Sequence, residues 1–127
     1  MGRIESREEA FKLVFEYIMN NEKNEELLME VLENKKIDSD YVNKLYESVV
    51  QNYTQLIEEI EGAATGYSTA RMFKVDLALI VMALCEIKYM EDIPTAVSIN
   101  EVLNIAKKYS TEKSASFING VLSKFVK

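Results

Sequence analysis

The chain has 127 residues, 48% of them apolar and 28% charged, with a net charge of −6, which suits one soluble globular domain with a real core. It contains no histidine and one cysteine, Cys85. A Ser-His-Asp triad, a Cys-His pair, a His-based or Cys-rich zinc site and an internal disulfide are therefore all excluded.

Breakers are scarce, with four glycines and one proline, so long helices are expected. The start, Met1-Gly2-Arg3-Ile4-Glu5, lacks the apolar run of a secretory signal. Phe11, Val14, Phe15 and Ile18 form the first helical stripe, with Ser6 as N-cap and Glu9 completing a capping box. Asn20-Asn21 ends that helix. A short helix follows from Glu25 to Glu33, with Leu27, Leu28, Val31 and Leu32 inward. Asp38-Ser39-Asp40 opens a long one, whose stripe runs from Val42 through Leu45, Val49 and Leu56 to Ile60 before Gly62. "GAATGYST" reads as a loop or a short helical link.

Val75 to Ile87 is the longest apolar stretch, interrupted only by Asp76 and Glu86. It is too short for a membrane span, which needs about 20 residues, and reads as a helix at the centre of a bundle. Asp92-Ile93-Pro94 marks the next boundary, because proline is pre-organised for a first helical turn. Ile99, Val102, Leu103 and Ala106 carry that helix to Lys107-Lys108-Tyr109, and Ser110-Thr111 caps the last one. Asn119-Gly120 would ordinarily signal a hairpin turn. Its neighbours Ile118, Val121, Leu122 and Phe125 keep helical spacing, so the pair is assigned to a helix. A glycine there costs about 1 kcal/mol relative to alanine, so another helix is expected to pack closely against Gly120, with RNA as the other candidate.

The fold class is thus all-α, with six or seven helices in two small helical subdomains, about 1–62 and 67–127. Charge is uneven along it. Residues 94–127 carry five basic and two acidic groups on an acidic chain. Such a patch can steer a polyanion, although a solvated lysine face gives the same composition. No phosphate-cradling glycine loop is present, and no spacing singles out a carboxylate pair for hydrolysis. Periodicity and charge leave an adaptor and a ligand-binding domain both open.

"DIPTAVSINEVLNIAKKYSTEKSASFINGVLSKF" resembles the C-terminal signature of the NusB family of bacterial transcription antitermination factors. The matching residues are Asp92, Pro94, Val97, Ile99, Asn100, Glu101, Ala106, Lys107, Phe117, Asn119, Gly120, Val121 and Leu122. "VDLALIVMALCEI" is similar to the preceding family helix through Asp76, Ala83, Leu84 and Glu86. "SREEAFKLVFEY" is similar to the first helix through Arg7, Ala10, Val14 and Phe15. Residues 20–70 match in helical pattern only.

The resemblance implies an all-helical, non-enzymatic cytoplasmic factor without cofactor or metal. It would bind boxA-type single-stranded RNA together with a small ribosomal protein acting as NusE, join the transcription elongation complex, and suppress termination on ribosomal RNA operons. Its state would be a monomer or a homodimer. Arg3 and Arg7 are then RNA-facing bases of an N-terminal arm, since a guanidinium can hold a phosphate bidentately. Lys107 is a phosphate contact by its motif match, and Phe117 is a base-stacking candidate. Lys113 and Ser116, at the start of the last helix, are RNA-binding candidates because a helix N-terminus attracts anions; the family often has an acidic residue at the position of Lys113. Asp76 and Glu86 are partner contacts, while Asn100 is expected to satisfy a backbone group between helices. On this reading Arg7→Ala lowers RNA affinity with little loss of stability. The alternative is a helical protein–protein adaptor with little or no RNA binding.

Overall fold

A computed structural model describes residues 2–66 and 68–126; Tyr67, within the expected 62–69 link, lies outside the described residues. Six α-helices follow in order: α1 Arg3–Asn20, α2 Glu25–Leu32, α3 Ser39–Ala63, α4 Lys74–Tyr89, α5 Thr95–Tyr109 and α6 Glu112–Leu122. Short 3₁₀ turns occupy Thr69–Arg71 and Ser123–Phe125. Among the described residues there is no strand.

Local chemistry sets most of the helix ends. Asn24, Asp38 and Thr111 each accept a backbone N–H of the first turn, from Leu27, Tyr41 and Ser114 respectively. Asn21 ends α1 in the left-handed region, at φ 59°, a conformation asparagine tolerates. Pro94 stands just outside α5, at the N-cap, one residue earlier than the first-turn position expected.

Ser6 is not the N-cap of α1. The helix begins at Arg3, with Gly2 outside it, so Ser6 lies within the first turns. Its Oγ donates to the Gly2 carbonyl at 2.7 Å, the local bond open to a serine inside a helix. The same oxygen accepts the Asp38 backbone N–H at 2.8 Å, which ties the entrance of α3 to α1.

α4 occupies the centre. Every residue from Asp76 to Glu86 is buried, and the helix packs against α1, α3, α5 and α6. A helix apolar nearly all round has no solvent face to offer, and the four neighbours supply the enclosure it needs. α3 bends at Asn52, where φ is −112° and ψ 16°, and the Asn52 amide donates to the Ser48 carbonyl. At the far end, Lys124 Nζ donates to the Ala63 carbonyl at 2.5 Å, fastening the C-terminal turn to the last residue of α3.

Asn119 and Gly120 lie inside α6, both exposed. No helix packs against Gly120: a Cβ built there would meet nothing within 4 Å. The α6 residues that pack inward are Ile118, Val121 and Leu122. Gly120 falls between them on the outer side.

Candidate nucleic-acid and partner surface

Arg7 and Glu86, both expected at the surface, are joined in the interior. The Arg7 side chain is 3% exposed and that of Glu86 0%. Arg7 Nε and Nη2 donate to the two Glu86 carboxylate oxygens, each at 3.0 Å. The Tyr41 hydroxyl donates to Oε2, and the Ser98 hydroxyl donates to Oε1 at 2.8 Å. Glu101 stands 3.9 Å from the remaining Arg7 nitrogen. Four helices, α1, α3, α4 and α5, thus meet on one carboxylate, each of whose oxygens takes two donors. Burial, followed by the charge of Glu86, pushes the Tyr41 phenol well above its ordinary range.

Neither residue is therefore displayed to a ligand. The reason is physical: a charge enclosed by apolar helices must be paired, and the pair is complete within the chain. Asn100, expected between helices, is exposed on α5, and the neighbouring Ser98 makes the inter-helix contact instead. Tyr41 and Ser98 escape sequence reading because each stands just before an apolar stripe, beside Val42 and Ile99, where a polar tip leaves no periodic trace.

Arg3 stays at the surface. Its Nη2 donates to Asp38 at 3.1 Å, and its guanidinium lies 4.3 Å from the centre of the Tyr41 ring. Lys107 is exposed on α5, and Ser116 is exposed on α6.

Lys113 and Phe117 come together with Asp76 in a cleft of about 630 Å³ between the 69–71 turn, the start of α4 and the start of α6. Arg71, Met72 and Phe73 complete its wall. Phe117 is half-buried and packs on the core along one side. Phe73 is 76% exposed, the most open large apolar side chain described, and it also borders a second depression lined by Phe15, Met19 and Val75. Periodicity does not mark it, because it stands at the N-cap of α4 and belongs to no apolar stripe.

Asp76 is 4% exposed. Its Oδ2 accepts the Ser114 hydroxyl at 3.2 Å, and its Oδ1 has no hydrogen-bond partner. Burial holds its carboxyl above the usual range, against the pull of Ser114. Among the described residues lining the cleft it is the lone carboxylate, beside two cations and two phenyl rings. That combination can hold an anion, stack a flat ring and accept one donated hydrogen bond. It offers no second carboxylate for paired acid–base hydrolysis.

The described residues thus form an all-helical bundle domain with a closed polar centre and an open cleft of cations and aromatic rings. Residues 4–127 match the NusB family, and the chain belongs to it. A transcription antitermination protein NusB of Clostridium botulinum (strain Kyoto / Type A2) is 38% identical over 143 residues, covering 99% of this chain and all of the relative. NusB of T. maritima has a solved structure that superimposes with a TM-score of 0.88 at 27% identity, over 98% of this chain and 89% of that one. A NusB chain solved with NusE and double-stranded RNA gives a TM-score of 0.84 at 26% identity, over 98% and 96% of the two chains.

Proposed function

We propose that this chain is a non-enzymatic transcription antitermination factor of the cytoplasm. It binds boxA-type single-stranded RNA together with a small ribosomal protein acting as NusE, and suppresses termination on ribosomal RNA operons. The observation that carries this reading is end-to-end similarity to NusB proteins, one of them solved with NusE and RNA.

The surface chemistry supports an RNA path over α6 and the end of α5. Lys113 and Lys107 supply exposed cations, Ser116 an exposed hydroxyl, and Phe117 a ring at the wall of the cleft. Arg3 adds a cation at the edge of α1. Arg7 contributes by holding α1 in place and not by touching phosphate. Asp76, with one unsatisfied oxygen at the cleft, is the residue we assign to the protein partner; Glu86 is not.

Fluorescence anisotropy with a boxA RNA and a scrambled control, each with and without the ribosomal partner, tests this reading. Tighter binding of boxA, strengthened by the partner and weakened by salt, is the expected result. Equal binding of both RNAs under both conditions would overturn it. The adaptor reading draws on one specific observation: Arg7 is sequestered and Arg3 is engaged by Asp38, so α1 offers little free positive charge. It expects partner capture with no dependence on RNA.

A further inference from the structure

The basic end of α5 carries a second contact that the reading above leaves unused. Lys108 Nζ donates to both carboxylate oxygens of Glu8, at 2.9 and 3.1 Å, and the Tyr109 hydroxyl donates to the same carboxylate at 2.7 Å. Glu8 belongs to α1, so the contact spans 100 residues of sequence. It closes one side of a groove of about 240 Å³ between α1 and α5, with Ile4 and Asn104 on its walls.

The two donors form an anion cradle: an ammonium gripping two oxygens and a phenol O–H reaching one of them. A phosphate presents the same paired, negatively charged oxygens that the carboxylate presents here. Tyr109 is 43% exposed; its ring centre lies 5.7 Å from that of Phe11 and 5.4 Å from Lys108 Nζ. An open aromatic ring beside a lysine is the platform on which single-stranded bases stack. The occupant of the cradle in the free protein is the protein's own Glu8. The bonds from Lys108 and Tyr109 hold its carboxyl below the usual range, so it is ionised at neutral pH.

We propose that Lys108 and Tyr109 form a nucleotide subsite, and that Glu8 fills its phosphate position until RNA displaces it. The proposal rests on the RNA-binding reading given above. Lys108 is 59% exposed and Glu8 17%, so the cation side of the pair faces solvent, where a polyanion can compete for it. Glu8 thereby sets affinity: it lowers binding at this subsite without touching the RNA.

The test measures boxA RNA affinity by anisotropy across a salt series, with the ribosomal partner present, for the full chain and three variants. Glu8→Gln keeps the shape and removes the charge. Glu9→Gln removes an equal charge one residue away, where the carboxylate pairs with Lys12 on the same helix. Glu8→Gln with Lys108→Ala removes the cradle's cation as well. The proposal expects Glu8→Gln to tighten binding about three- to ten-fold. Its plot of log affinity against log salt should steepen by about 0.7, the increment of one added phosphate contact on a single strand. Glu9→Gln should stay within about two-fold of wild type, and the double variant should lose the gain. An unchanged affinity in Glu8→Gln, an equal gain in Glu9→Gln, or a gain that survives loss of Lys108 overturns the subsite while wild-type binding still stands. If the wild-type chain does not bind boxA RNA at all, the functional reading fails and the subsite fails with it.

Discussion

Arg7 and Glu86 are 79 residues apart in sequence and form a two-pronged ion pair in the interior. The pair is closed from the other sides by Tyr41 and Ser98. A buried ion pair of this kind contributes little net stability compared with an apolar filling of the same shape. Breaking it from one side strands a charge in the core.

Arg7→Ala is therefore expected to cost about 3–5 kcal/mol, by leaving Glu86 buried without its main counter-charge. For a domain of this length that is a fall of roughly 10 °C or more in melting temperature. Thermal unfolding followed by circular dichroism measures it. A shift of only a degree or two would mean that Arg7 is not structural and would return it to the RNA-facing arm that its motif suggests.

Asp76 gives a pH-dependent expectation. Burial raises its pKa in the folded state, so the folded chain binds that proton more tightly than the unfolded chain does. Its contribution to stability is therefore greatest below the unfolded value of about 4 and declines as pH rises through the raised folded value. Asp76→Asn, which keeps the acceptor for Ser114 and removes the charge, should melt at a higher temperature than wild type at pH 7. The difference should close near pH 4. If Asp76 also serves the ribosomal partner, the same variant loses partner affinity while gaining stability. Titration calorimetry alongside the melts separates the two effects.

Gly120 sits in a helix with open space around it. Gly120→Ala should stabilise the protein by about 0.5–1 kcal/mol, because alanine restricts the unfolded chain and no neighbour obstructs the methyl group. Denaturant titration reads this directly. A loss of stability would reveal a contact that the fold does not show, and unchanged stability with reduced RNA affinity would place RNA against the backbone there.

Phe117 and Lys113 separate stacking from charge. Phe117→Leu keeps an apolar filler against the core but removes the ring face, and should weaken boxA binding in line with the roughly 1–3 kcal/mol that base stacking supplies. Lys113→Ala should weaken it less and flatten the salt dependence by about 0.7. If both variants bind as wild type does, the cleft is not on the RNA path.

The fold was largely readable in advance because its determinants are local. The stripe of α3, its Asp38 cap, the unbroken apolar run of α4 and the placement of Asn119-Gly120 in α6 each depend on residues within a few turns. What escaped reading depends on distance. Ser6 looks like a cap until α3 supplies Asp38 as its second partner. Arg7 and Glu86 look like surface charges until the bundle closes, because hydrophobic patterning assigns charge to solvent unless a partner is known. Phe73 belongs to no stripe, and only the fold shows that it stands open at the start of α4. The cleft is assembled from three separate segments, and no spacing along the chain records their approach.

The closed centre also has a consequence for the order of events during synthesis. α1 precedes α4 in the chain, and it carries an arginine whose buried counter-charge, Glu86, lies in α4. Before Glu86 is available, seating Arg7 would bury an unpaired charge, which is costly. The last wall of that seat arrives later still, when Ser98 of α5 emerges. The seat of α1 is thus completed by residues of α4 and α5, both later in the chain than α1 itself.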